Sequence, residues 1–83
     1  MPNPFNARTD IIVALPKAGA VTVEMFDITG RNVSRISGEF AAGIVHISWD
    51  GKTTAGRELS SGLYLARVRF GDETKIARAM LIK

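Results

Sequence analysis

The sequence predicts an all-β fold, an antiparallel β-sandwich of six to seven strands, and three observations carry that expectation. β-branched and aromatic residues alternate with polar ones along several short segments, the period of a half-buried pleated surface. Turn signals built on Gly, Pro, Asn and Asp separate these segments by about 8–12 residues, the spacing of sandwich strands. No segment reads as a helix, and the chain holds no low-complexity tract and no internal repeat.

Residues 1–8 are expected as an extended lead-in, because each proline biases the residue before it toward β or polyproline II. Phe5 is expected against the sandwich edge. Thr9 to Leu15 is the first strand, with Ile11 and Val13 on one face and Ile12 and Ala14 on the other. Pro16-Lys17-Ala18-Gly19 turns the chain. Ala20 to Ile28 is the second strand, dense in β-branched residues. Val21, Val23 and Met25 share one of its faces; Thr22, Glu24, Phe26 and Ile28 share the other. Thr29-Gly30-Arg31-Asn32 is a turn, with Gly30 suited to φ > 0.

Val33 to Ser37 reads as a short third strand at an edge, followed by a loop from Gly38 to Gly43 that contains Phe40. Ile44 to Trp49 is the fourth strand, with Val45, Ile47 and Trp49 on one face. Trp49 is the only tryptophan and ends the apolar series, which makes it the plug at one end of the core. Asp50-Gly51 breaks the strand. A polar loop from Lys52 to Ser61 follows, with a short extended piece near Arg57 to Leu59. Gly62 opens the fifth strand, Leu63 to Phe70. Gly71-Asp72 is a two-residue hairpin turn, and Glu73 to Ile82 is the last strand.

A chain of 83 residues makes one domain, residues 1–83. A domain of this size buries about 60–65% of its unfolded surface and is stable by about 4–12 kcal/mol. Without cysteine there is no disulfide framework and no thiolate metal site. At 46% apolar and 23% charged the composition is globular. The net charge of +3 is small, and the eleven Lys and Arg are scattered with no run of three. Phosphate binding favours a clustered patch, so no nucleic-acid partner is expected. No apolar run approaches the roughly 18 residues of a membrane span, and Met1-Pro2-Asn3-Pro4-Phe5-Asn6 lacks the n- and h-regions of a signal peptide. A start in the middle of a turn-forming Pro-Asn-Pro reads as a segment cut from a longer chain, with Met1 an added start.

The residues do not assemble a catalytic constellation, and no enzyme, cofactor or metal is expected. Nucleophilic catalysis needs a base beside the nucleophile. His46 is the sole histidine and sits mid-strand as a surface residue. The carboxylates are dispersed, and no His or Cys set has zinc spacing. The loop Asp50 to Glu58 invites comparison with a calcium loop, but Lys52 and Thr54 stand where acids would be needed. Asn32-Val33-Ser34 matches a glycosylation sequon. Arg67 and Arg69 lie on one face of the fifth strand, and Arg78 joins them if the last two strands pair around Gly71-Asp72. That cationic stripe reads either as a solvated, aggregation-protected face or as a receiver for an acidic partner.

An ordered set of motifs then carries a resemblance across nearly the whole chain. They are Pro2-Asn3-Pro4-Phe5-Asn6; Met25-Phe26-Asp27-Ile28-Thr29-Gly30-Arg31-Asn32-Val33; Trp49-Asp50-Gly51 with Gly56; Ser61-Gly62-Leu63-Tyr64; and Lys75 to Lys83. In order and spacing the set resembles the C-terminal sorting domain of the type IX secretion system, and the related immunoglobulin-like domain of the flagellar hook-capping protein. The resemblance implies an immunoglobulin-like sandwich at the C-terminus of an exported protein. It also implies an address read by an outer-membrane translocon of Bacteroidetes-type bacteria, with a sortase-type peptidase that removes it and attaches the cargo to a surface glycolipid. The expected destination is the cell surface or the medium, by way of the periplasm. The sorting residues it implies are Gly62, Tyr64, Lys75, Met80, Leu81, Ile82 and Lys83. The structural motif residues are Pro4, Phe5, Asp27, Gly30, Trp49, Asp50 and Gly51. Lys52-Thr53-Thr54 departs from relatives that carry an acid after Trp-Asp-Gly, which speaks against an inherited metal role.

Two function classes follow. The leading expectation is a sorting module read through its last two strands, with Lys75 to Lys83 at a sheet edge open to strand addition. The alternative is a passive structural module, either of the hook-capping type or a stalk beside a catalytic domain. Carbohydrate binding would need exposed aromatics on a flat face, and one Trp and one Tyr expected in the core do not supply them.

Overall fold

Alternation decides which side of each strand is dry. In the computed structural model, which describes residues 8–82, β1 (Thr9–Leu15) buries Ile11, Val13 and Leu15, and β4 (Gly43–Trp49) buries Ile47 and Trp49. β2 (Gly19–Phe26) buries Val21, Val23 and Met25, and β5 (Gly62–Phe70) buries Tyr64, Ala66 and Val68. β3 (Asn32–Phe40) turns Ser34 inward, and β6 (Glu73–Leu81) buries Ala79 and Leu81. These inward sets form one apolar cluster, to which Val33, Ile36, Phe40, Val45, Leu59, Phe70 and Ala77 add partial cover. Each large side chain removed from water in this way contributes about 1.5–3 kcal/mol.

The strands sort into two antiparallel sheets. β1 and β4 pair from Thr9 opposite Trp49 to Leu15 opposite Gly43. The other four make a sheet in the order β3-β2-β5-β6. This is the immunoglobulin-like sandwich of the sequence reading, with six strands among the described residues. Trp49 joins the two layers: its ring meets that of Tyr64 edge-on, with centroids 5.1 Å apart at 72°. Its Nε1–H donates to the Lys52 carbonyl at 3.1 Å, so the one polar atom of the plug is satisfied.

Several boundaries differ from expectation, each for a local reason. β2 ends at Phe26 rather than Ile28, because Asp27 leaves the ladder to organise the next turn. β3 runs on to Phe40 instead of stopping at Ser37. Gly38 there pairs with Val21 as ordinary strand, and the Phe40 ring lies 3.2 Å from where a Cβ on Gly38 would stand. The expected Gly38–Gly43 loop therefore shrinks to Ala41-Ala42. The Lys52–Ser61 loop is a small hairpin closed by a bridge between Lys52 and Glu58. At Gly71-Asp72 only Gly71 has positive φ, 56°, the pattern of a type II′ turn. Residues 1–7 of the expected lead-in, with Pro4 and Phe5, lie outside the described residues, as does Lys83.

Candidate interaction surface

The motif residues resolve into scaffolding. Asp27 Oδ1 accepts from the Thr29 N–H at 3.0 Å, the Thr29 hydroxyl at 2.6 Å and the Arg31 N–H at 3.0 Å, while Oδ2 accepts from Arg31 Nε at 3.2 Å. The Thr29 hydroxyl first, and then the Arg31 amide, hold this carboxyl below the usual aspartate range. Gly30, at φ 88°, completes the turn by donating its N–H to the Asp27 carbonyl. Asp50 Oδ1 accepts from the Lys52 N–H, and Gly51, at φ 74°, lies against Leu81. The Tyr64 hydroxyl donates to the Ser60 carbonyl at 2.7 Å.

The residues expected to be read by a sorting partner divide between core and surface. Tyr64 and Leu81 are buried, so a partner meeting the folded domain touches neither. Met80 and Ile82 are exposed, and so is Ile76. Lys75 lies on the exposed part of β6 with its ammonium 5.7 Å from the Phe70 ring centre. Gly62 begins β5. Among the described residues the last strand is an edge of the four-stranded sheet, paired only with β5.

The sequence already sets Arg67, Arg69 and Arg78 on the outer face of that sheet; the feature that single-strand reading missed is the apolar groove beside them. Register sets Phe26 beside Leu65 and Leu65 beside Arg78; one step along, Glu24, Arg67 and Ile76 stand in a row. Glu24 is the charge hub. Its Oε1 accepts from Arg67 Nε at 3.0 Å and Nη2 at 2.8 Å, and Arg69 Nε approaches to 3.7 Å. The bonds from Arg67 hold this carboxyl below the usual glutamate range. The Arg67 guanidinium carbon also lies 4.8 Å over the Phe26 ring. Phe26, Asp27, Ile28, Gly30, Leu65, Arg67 and Ile76 enclose an open groove of about 260 Å³. A larger cleft of about 480 Å³ lies between the Pro16–Gly19 and Gly71-Asp72 turns, with Lys17, Asp72 and Glu73 in its lining.

His46 is exposed on β4 with Nδ1 3.7 Å from Asp10 Oδ2, and Ser48, on the same face of β4, accepts at its hydroxyl from Arg8 Nη1 at 3.2 Å. Among the described residues no group of three or more His, Cys, Asp or Glu could hold a metal ion. Asn32 Nδ2 donates to the Met25 and Ser34 carbonyls, filling the bulge where β3 slips against β2. The sequon amide is thus committed to the sheet. With Trp49 and Tyr64 buried, neither offers a stacking platform for a sugar.

Comparison with known proteins gives a consistent result. The model of a family described as the FlgD Ig-like domain matches residues 6–72. FlgD from Xanthomonas campestris, whose crystal structure is described as giving insights into hook capping essential for flagellar assembly, is 26% identical and superposes with a TM-score of 0.71, over 92% of this chain and 56% of that one. FlgD from P. aeruginosa is 30% identical with a TM-score of 0.65, over 90% of this chain and 57% of that one. The chain thus spans little more than half the length of these relatives. No curated protein sequence matches significantly.

Proposed function

The chain belongs to the FlgD Ig-like domain family, and on that membership we propose that it is a structural assembly module of the hook-capping type, working by protein contact and not by catalysis. The observation that carries this reading is the family match over residues 6–72 on a fold whose motif residues, Asp27, Gly30, Trp49 and Gly51, serve turns and core. It replaces type IX sorting as the leading reading, because the family match and both structures described above lie on the hook-capping side of the resemblance.

Sorting stays as the second reading for one specific reason. β6 is an edge strand among the described residues, with Ile76 and Met80 exposed on it and Ile82 exposed just beyond its end, a geometry that suits strand addition by a translocon component. On that reading the partners are the outer-membrane translocon and a sortase-type peptidase, and the destination is the surface or medium through the periplasm.

One experiment with two arms separates the readings. In the first arm, the chain replaces the Ig-like domain of a hook-capping protein in a flagellated bacterium, and hooks are counted by electron microscopy. In the second, residues 1–83 follow a periplasm-directed reporter in a bacterium with a type IX system. Wild type is compared with the double change Ile76→Ser and Met80→Ser, which leaves the buried Leu81 in place. The module reading expects hooks in the first arm and periplasmic retention in the second. Export that the double change abolishes, without hooks, overturns it in favour of sorting.

A further inference from the structure

We propose that the outer face of the four-stranded sheet, along the groove between Phe26, Leu65 and Ile76 and beside Arg67 and Arg78, docks an acidic, apolar-studded segment of a partner protein. This deepens the assembly-module reading by naming the surface and the chemistry of what it receives. The face is unusual for the solvent side of an antiparallel sheet, which ordinarily reads as polar. Ile28 is 77% exposed, Ile76 62%, Met80 53% and Leu65 37%. Three of these lie on adjacent strands, and Ile28 closes the groove from the turn. Apolar side chains gathered around a groove with a polar rim mark contact sites more often than chance exposure does.

Charge selects the occupant. Arg67, Arg69 and Arg78 share this face with Glu24, and Glu24 already serves Arg67 and Arg69. No carboxylate among the described residues comes within ion-pair distance of Arg78. Asp27 borders the groove, but its oxygens are taken up by Thr29 and Arg31. The groove therefore presents an apolar floor and a surplus of guanidinium, which complements carboxylates spaced by aliphatic side chains. A second copy of the chain fits poorly. A two-fold contact through this face would set one surplus of guanidinium against another.

The test is an amide NMR titration of the 83-residue chain with a blocked octapeptide alternating glutamate and leucine. The same peptide with lysine for glutamate, and vesicles of phosphatidylglycerol and phosphatidylcholine, serve as parallel arms. The expected result is shift changes confined to Phe26, Leu65, Ile76, Arg78 and their neighbours, with the acidic peptide only. Arg78→Glu and Ile76→Ser, both at exposed positions, should each weaken binding on the order of tenfold while leaving the melting temperature unchanged. Shifts on the outer face of the β1–β4 ribbon, where Ile12 and Ile44 are exposed, equal binding of the lysine peptide, vesicle binding with an inert peptide, or no binding at millimolar peptide would each overturn the proposal. Hook formation is scored independently of this titration. Peptide binding without hooks keeps the docking face and sinks the hook-capping role, and hooks without peptide binding do the reverse.

Discussion

At the scale of single residues, the informative side chain is Asp27. A carboxylate that accepts from two backbone N–H groups, a hydroxyl and a guanidinium is favoured in its charged form, and its folded-state affinity for protons falls. Glu24 is held low in the same direction by Arg67. The unfolded chain binds both protons at higher pH than the folded one. Stability from these groups is therefore fully present above the ordinary values of 3.8 and 4.5 and drains away as pH falls through the lower folded-state values. Asp27→Asn should lower the urea midpoint at neutral pH and flatten its decline on the acid side. A variant whose midpoint falls with acid as steeply as wild type would show that Asp27 is not a source of the acid sensitivity.

At the scale of elements, the turn after β4 is set by its contact with β6. A Cβ on Gly51 would come within 2.7 Å of Leu81 Cδ1 and 2.9 Å of Cδ2. Leu81 is fully buried and has no room to swing away. Gly56 also has positive φ, 91°, but opens onto free space. Gly56→Ala should then cost only the left-handed backbone term, about 1–2 kcal/mol. Gly51→Ala should cost that plus an overpacking term of about 1–3 kcal/mol. Equal losses in chemical denaturation would mean that Leu81 yields. Element-level legibility followed the same logic. β1 was readable to the residue, because its alternation is unbroken between clear turn signals. β3 was read short, because Gly38 looks like punctuation when its tertiary role, pairing with Val21 under the Phe40 ring, is invisible in one strand. That β6 lies at or near a sheet edge was expected from its apolar residues flanked by Lys75 and Lys83, and the pairing with β5 bears it out among the described residues. The groove was not, because Phe26, Leu65, Ile76 and Arg78 become neighbours only through the registers of three strands.

At the scale of the whole molecule, the sandwich pairs unequal layers. A two-stranded ribbon is at best marginal alone in water, so β1–β4 owes its persistence to the apolar side chains it shares with the larger sheet. Those include Ile11, Val13, Leu15, Ile47 and Trp49, which belong to the same cluster as Val23, Tyr64, Val68 and Leu81. Neither layer keeps a dry face without the other, which favours a single all-or-none transition. Trp49 makes this testable without labels. It is the only tryptophan, sits on the ribbon and meets Tyr64 of the opposite sheet edge-on. Its fluorescence therefore reports separation of the layers, while the far-ultraviolet circular dichroism is dominated by the larger sheet. In urea the two signals should trace one superimposable curve with a slope of about 1 kcal/mol/M. A fluorescence transition that ran ahead of the dichroism would mean that the ribbon detaches first, and that the four-stranded sheet, with its docking face, holds together without it.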